Sequence, residues 1–143
     1  MAWLLALHVC CTTLGLGGLV CANVLLALAA DGADVQSVRR MAGLTLLANR
    51  VFGGLVGAGV LLGLATMGAA HVPANATWLV LTYAIVVLGI VFQAAVAIPW
   101  QLRLARSAET ITAPVRTARL IAAAFVLQFV LLVFVMVVKP YAG

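Results

Sequence analysis

The chain has 143 residues, of which 66% are hydrophobic and 8% are charged, and its net charge is +5 at pH 7. A soluble domain carries roughly 25% charged residues, so this chain lacks the polar surface of a water-soluble protein, and we expect it to lie in a lipid bilayer. Its basic residues stand between hydrophobic runs and form no patch in polar surroundings, which argues against nucleic-acid binding.

Four segments are long and apolar enough to cross a bilayer, since a membrane helix needs about 20 mainly apolar residues. In chain order they cover about residues 3–28, 50–70, 78–99 and 120–138. The sequence therefore predicts an all-α, polytopic membrane protein: one domain, 1–143, with four transmembrane helices in an antiparallel bundle. Asp34 is a candidate helix cap, and the stretch 34–49 is predicted to be helical along the membrane surface.

The positions of the basic residues predict the orientation. Seven of the eight lie in or beside the connections between spans one and two and between spans three and four: Arg39, Arg40, Arg50, Arg103, Arg106, Arg116 and Arg119. Only Lys139 remains for the opposite face. Because positively charged connections stay in the cytoplasm, we expect both termini on the non-cytoplasmic side (N-out/C-out).

In the first span, His8 is the residue with the clearest chemical potential. It follows Trp3, a candidate anchor at the outer interface, and lies about 7 Å deeper at ~1.5 Å per residue. Helical spacing places Cys11 and Thr12 on about the same face, which we expect to point inward. Imidazole can ligate haem iron, copper or zinc there. The alternative is a core histidine satisfied by hydrogen bonds.

Sulfur-bearing side chains accompany His8 on the predicted outer side. Copper(I) prefers sulfur and imidazole ligands, so a candidate metal set consists of His8, Cys11, Met67 and Met136. Three cysteines in one apolar segment do not form the disulfide framework of a secreted domain. We expect Cys10, Cys11 and Cys21 to be small, buried core residues.

The second span contains two GxxxG pairs, Gly53 with Gly57 and Gly59 with Gly63. Helices in lipid associate largely through close backbone approach, which small residues permit. Two interpretations remain open: packing within one bundle, or a face for a homodimer or a partner subunit.

Polar side chains inside the spans are expected to face the bundle interior, because exposure to lipid is costly. They are Asn23, Asn49, Arg50, Gln93 and Gln128. We predict a hydrogen-bonded cluster that holds the helices in register or, alternatively, forms a site. No acidic residue lies within a predicted span, which disfavours a proton- or cation-coupled transporter. No soluble-enzyme motif is present, and enzymatic activity is left open.

Lys139 lies eleven residues after Gln128, so both fall on one face of the fourth helix. At the outer rim this lysine has two interpretations. It is either the partner of an anionic group such as a haem propionate or a lysine that only ends the helix.

A family resemblance joins these features. Leu7-His8-Val9 in the first of four spans, an arginine-bearing first connection, and the closing Val137-Val138-Lys139-Pro140-Tyr141 resemble a superfamily of small bacterial membrane proteins. It includes the copper-resistance D domain and HemJ-type protoporphyrinogen oxidase, and the chain looks most like a family of four-helix integral membrane proteins within it.

The resemblance implies a multi-pass protein of the bacterial cytoplasmic (inner) membrane. It also implies that His8 takes part in haem or copper binding and that Lys139 corresponds to the lysine of the family's closing motif. HemJ-type proteins have a further His and Lys early in the third span, where this chain reads Trp78-Leu79-Val80-Leu81-Thr82-Tyr83. That departure removes the basis for protoporphyrinogen oxidation and leaves a second axial ligand unassigned.

Two functional hypotheses follow. The first is a protein that handles haem b or copper, with His8 as ligand and Lys139 as electrostatic partner. The second is a non-catalytic accessory or assembly subunit of a larger membrane complex, docking through the glycines of the second span. The first requires a cofactor, and the second requires a protein partner besides the lipid bilayer.

Overall fold

The structure is a computed structural model that describes residues 2–32, 34–73, 75–106 and 114–138. It contains four long helices: Ala2–Gly32, Val35–Ala69, Thr77–Arg106 and Pro114–Val138. We call them the first to fourth spans, because each is long and apolar enough to cross a membrane. The third span is α-helical over Thr77–Phe92, π-helical over Gln93–Ala97 and α-helical again over Ile98–Arg106. The predicted all-α, four-helix fold is confirmed.

The spans run antiparallel to their sequence neighbours and close into a ring. The first span packs against the second and the fourth, and the fourth packs against Thr77–Phe92 of the third. The second span packs against the third mainly through Ile98–Arg106. We call the end where the first span begins the His8 end. The opposite end is the arginine end, where Arg119 forms a 2.7 Å ion pair with Asp31.

At the arginine end the helices are longer than the hydrophobic segments. Residues 34–49 are helical as predicted, but they do not form a separate surface helix, because they continue directly into the second span as the helix Val35–Ala69. The predicted cap is confirmed: the Asp34 carboxylate accepts hydrogen bonds from the backbone nitrogens of Gln36, at 2.8 Å, and Ser37, at 3.0 Å. The Ser37 backbone N–H is the main cause that lowers the pKa of Asp34. The cap therefore stabilises the helix above the usual aspartate pKa and weakens as the pH falls.

The tightly packed core lies in the arginine half of the bundle. Leu19, Ala97, Ile121 and Phe125 form one buried cluster, and the half-buried Trp100 packs against it and against two further clusters. The three clusters together join all four spans in this half of the bundle.

Glycines set the contact between the first two spans. A Cβ atom at Gly15 would lie 2.8 Å from the backbone nitrogen of Val56, and one at Gly59 would lie 2.5 Å from Cγ2 of Thr12. At Gly57, in contrast, a Cβ would meet nothing within 4 Å. The Gly59/Gly63 pair therefore packs within the bundle, whereas Gly57 lies on the outer surface.

The expected burial of the cysteines is wrong for two of the three. Cys10 and Cys21 are exposed on the bundle surface and Cys11 is half-buried, and all three are free thiols. Their small size does not place them in the core, because the close approach between the first two spans is made at the glycines.

Candidate functional site

The His8 half of the bundle encloses a cavity of about 220 Å³. All four spans contribute to its wall: His8, Thr12 and Leu16 from the first, Val60, Gly63 and Met67 from the second, Trp78, Tyr83, Gly89 and Gln93 from the third, and Gln128, Leu132 and Met136 from the fourth. Among the residues that the structure describes, no Asp, Glu, Lys or Arg lines this wall. The cavity is therefore mainly apolar, with a few polar groups at fixed places.

His8 is held against the second span. Its Nδ1 lies 2.7 Å from the backbone oxygen of Gly59. The ring lies over Gly63, where an added Cβ would come 2.9 Å from the imidazole Cε1. A carbonyl oxygen only accepts, so Nδ1 carries the hydrogen and donates it, and in the neutral ring Nε2 keeps an unprotonated lone pair. Metal-binding histidines are commonly fixed in this way.

Three of the four predicted metal ligands line the same cavity: His8, Met67 and Met136. Cys11 is absent from the wall. The hydroxyl of Tyr83 donates to the sulfur of Met67 at 2.9 Å. Within the described residues, no three His, Cys, Asp or Glu side chains form a metal-binding group. Lys139 lies outside the described residues.

A chain of amide hydrogen bonds begins at the cavity and runs towards the arginine end. Gln93 Nε2 donates to Asn49 Oδ1 at 3.4 Å, and Asn49 Nδ2 donates to Gln101 Oε1 at 2.6 Å. Gln101 Nε2 then donates to Asn23 Oδ1 at 2.9 Å, and Asn23 Nδ2 donates to the Leu19 carbonyl at 2.8 Å. These bonds tie the first three spans together.

The π-helical turn explains why two glutamines of the third span reach the same asparagine. In an α-helix, residues eight apart differ by about 80° around the axis. A π-helical turn accommodates one extra residue, which reduces this difference to about 20°. The turn Gln93–Ala97 lies between Gln93 and Gln101, so both side chains face Asn49.

The five residues of the predicted polar cluster lie in different places in the bundle. Asn23, Asn49 and Gln93 belong to the amide chain. Arg50 does not, since it is exposed on the bundle surface. Gln128 is half-buried and lies against Gly89, apart from the chain.

Gln101, the central member of the chain, was missed because the hydrophobic run ends near Pro99 and the residues after it were placed in a connection. A detectable signal was the helical spacing of Ala97, Gln101 and Leu104, all three of which are buried.

Two features of the described bundle could therefore carry a function: the cavity, with its few polar groups, and the amide chain. No family model, curated protein or solved structure matches this chain.

Proposed function

We propose that the protein binds haem b or a copper ion in the cavity, with His8 as a ligand. The observation that carries the proposal is the hydrogen bond from His8 to the Gly59 carbonyl at 2.7 Å. It fixes the ring with Nδ1 as the donor, so that Nε2 is the nitrogen left to bind a metal in a largely apolar space.

The donors in the cavity fit this class of group. Imidazole and thioether are ligands of haem iron and of copper(I), and His8, Met67 and Met136 supply them. A hard cation such as Mg²⁺ or Ca²⁺ requires several oxygen ligands, and no carboxylate lines the described wall. When bound, the group would supply redox chemistry. His8 would hold the metal, the Gly59 carbonyl would fix the ring, and the apolar wall would exclude water.

The proposal includes the orientation inferred from the arginines: a bacterial cytoplasmic membrane with both termini outside. His8 would then lie near the outer face. Lys139 follows Met136 by three residues in the sequence, and it is proposed as the partner of an anionic group such as a propionate.

His8→Ala is expected to remove the bound cofactor. The protein, purified in detergent after expression with haem precursors or copper, should show a Soret band or bound copper. In the variant, the amount of bound haem or copper should fall about tenfold or more. The matched control is His71→Ala, because His71 is exposed in the turn after the second span, outside the cavity wall. A colourless, copper-free wild-type protein, or an unchanged spectrum in the His8 variant, would contradict the proposal.

The accessory-subunit hypothesis is the second candidate, and one observation favours it. At Gly54 and Gly57 an added Cβ would meet nothing within 4 Å, so part of the glycine-rich second span faces away from the bundle. In lipid, an outward face of small residues suits close packing against another helix.

Gly57→Leu is expected to weaken self-association or docking of a partner, because the leucine would hold two helix backbones apart. Size-exclusion chromatography with light scattering in mild detergent measures the assembly. Gly17→Leu is the control, as Gly17 also has open space around it but lies on the first span. If both variants keep the wild-type size, the second span provides no interface.

A further inference from the structure

The cavity has a second polar end, distant from His8. His8 lies beside Gly63, whereas Gln93 Nε2 would be 3.8 Å from a Cβ at Gly53. These two glycines are ten residues apart on one helix, about 15 Å at ~1.5 Å per residue. The two ends are therefore too far apart for one small polar group to contact both.

The groups at this end have unused hydrogen-bonding capacity. Gln128 lines the cavity and makes no hydrogen bond to any part of the chain that the structure describes. Its carboxamide is placed by Gly89, where an added Cβ would collide with the amide nitrogen. Gln93 donates one hydrogen to Asn49, and its carbonyl oxygen has no partner among the described residues. A neutral amide in such a place prefers a ligand that accepts or donates a hydrogen bond.

The wall determines which ligands suit this end. The described lining has no acidic or basic side chain apart from His8, so a carboxylate or phosphate group would be buried without a counter-charge, which is costly. The remaining surface is apolar and would accept a hydrocarbon chain.

The contact between the second and third spans is uneven along the bundle. The second and third spans pack mainly at the arginine end. Towards the His8 end they are joined by the hydrogen bond from Tyr83 to Met67. Both spans contribute to the cavity wall, so the sparse contact between them at this end lies beside the cavity and away from the packed core.

We propose that the Gln93–Gln128 end of the cavity binds the carbonyl or hydroxyl head of a neutral, membrane-dissolved molecule. The Gln128 amide donates to this head, and the hydrocarbon tail of the molecule passes between the second and third spans into the lipid. This site goes beyond the cofactor proposal and does not require a metal at His8.

The test is a binding measurement with decyl-benzoquinone, a neutral carbonyl probe, on the full chain in nanodiscs. On the third span Trp100 lies seven residues from Gln93, about 10 Å along the helix, and Trp78 lies fifteen residues from it, about 22 Å. The bound quinone should therefore quench the tryptophan fluorescence saturably, and the saturable part should survive Trp78→Phe. Gln128→Leu should raise the Kd about tenfold, the loss of one hydrogen bond. Gly89→Ala, which displaces the same amide, should act in the same direction. The control Gln36→Leu changes an exposed glutamine outside the cavity and should leave the Kd unchanged.

Competing ligands test the neutral-head requirement. Decan-1-ol should displace the quinone, and decanoate should not. An unchanged Kd in Gln128→Leu, quenching that never saturates, or equal competition by decanoate would each overturn the proposal. His8→Ala should retain quinone binding, whereas the Soret band or copper content should survive Gln128→Leu. Failure of one proposal is therefore distinguishable from failure of the other.

Discussion

Gln101→Leu is expected to lower the free energy of unfolding by about 2 kcal/mol, although leucine suits a membrane helix better than glutamine does. Gln101 is 0% exposed and stands at the centre of the amide chain. Its loss leaves the Asn49 Nδ2 donor and the Asn23 Oδ1 acceptor without their partners, which lie 2.6 and 2.9 Å away in the native chain. A buried polar group without a partner costs about 1–3 kcal/mol, and relaxation of the asparagines recovers part of this.

The measurement is reversible unfolding in mixed micelles with increasing SDS, followed by tryptophan fluorescence. Gln36→Leu serves as the control, since this glutamine is exposed near the start of the second span. Asn49→Leu and the Gln101/Asn49 double variant complete a cycle, in which the coupling energy should be about 1 kcal/mol. A Gln101 variant as stable as the wild type would show that the amide hydrogen bonds contribute nothing to the stability of the fold.

Gly15→Ala is expected to destabilise the bundle by a similar amount, about 2 kcal/mol, through overpacking. The new Cβ would lie 2.8 Å from the backbone nitrogen of Val56 and 2.9 Å from the carbonyl oxygen of Phe52. A helix backbone cannot rotate away as a side chain does, so the first two spans must separate. That separation also lengthens the contacts that place His8 on the second span.

Gly54→Ala is the matched control for this substitution, because a Cβ at Gly54 meets nothing within 4 Å. It should leave the stability unchanged or raise it slightly, as alanine is the better helix former. The same SDS unfolding assay applies to both variants, with cofactor content as a second measurement. Equal stability of the two variants would show that the close approach at Gly15 is not required.

The fold could be predicted because bilayer crossing is a property of composition along the chain. The helix ends could not, since hydropathy reports where a helix leaves the lipid and not where it stops. Residues 34–49 illustrate the difference: they are less apolar than the predicted span that follows, yet they continue without a break into the helix Val35–Ala69.

The candidate site was predictable in composition but not in connectivity. Helical spacing placed His8 on an inward face, and the polar residues of the spans were identified one by one. Arg50 is polar yet exposed, and Gln101 lies beyond the hydrophobic run yet is fully buried. Both outcomes depend on the rotation of one helix relative to another, which no single hydrophobic segment determines.

The glycines show the same limit. Gly59 packs against Thr12 and Gly57 faces open space, although both belong to GxxxG pairs of one helix. Residues two apart point about 200° away from each other around a helix axis. Which glycine pair contacts the first span therefore depends on how the two helices are rotated against each other.

The π-helical turn lets the third span lose a residue without losing its buried face. Removing one residue from Gln93–Ala97 would convert the turn to α-helix and leave Gln93 and Gln101 seven α-helical positions apart, which keeps the offset between them at about 20°. Gln101 and Leu104 would therefore stay in the interior. A residue added to the α-helix after the turn would instead rotate the following helix face by about 100° and carry both side chains out of the interior together.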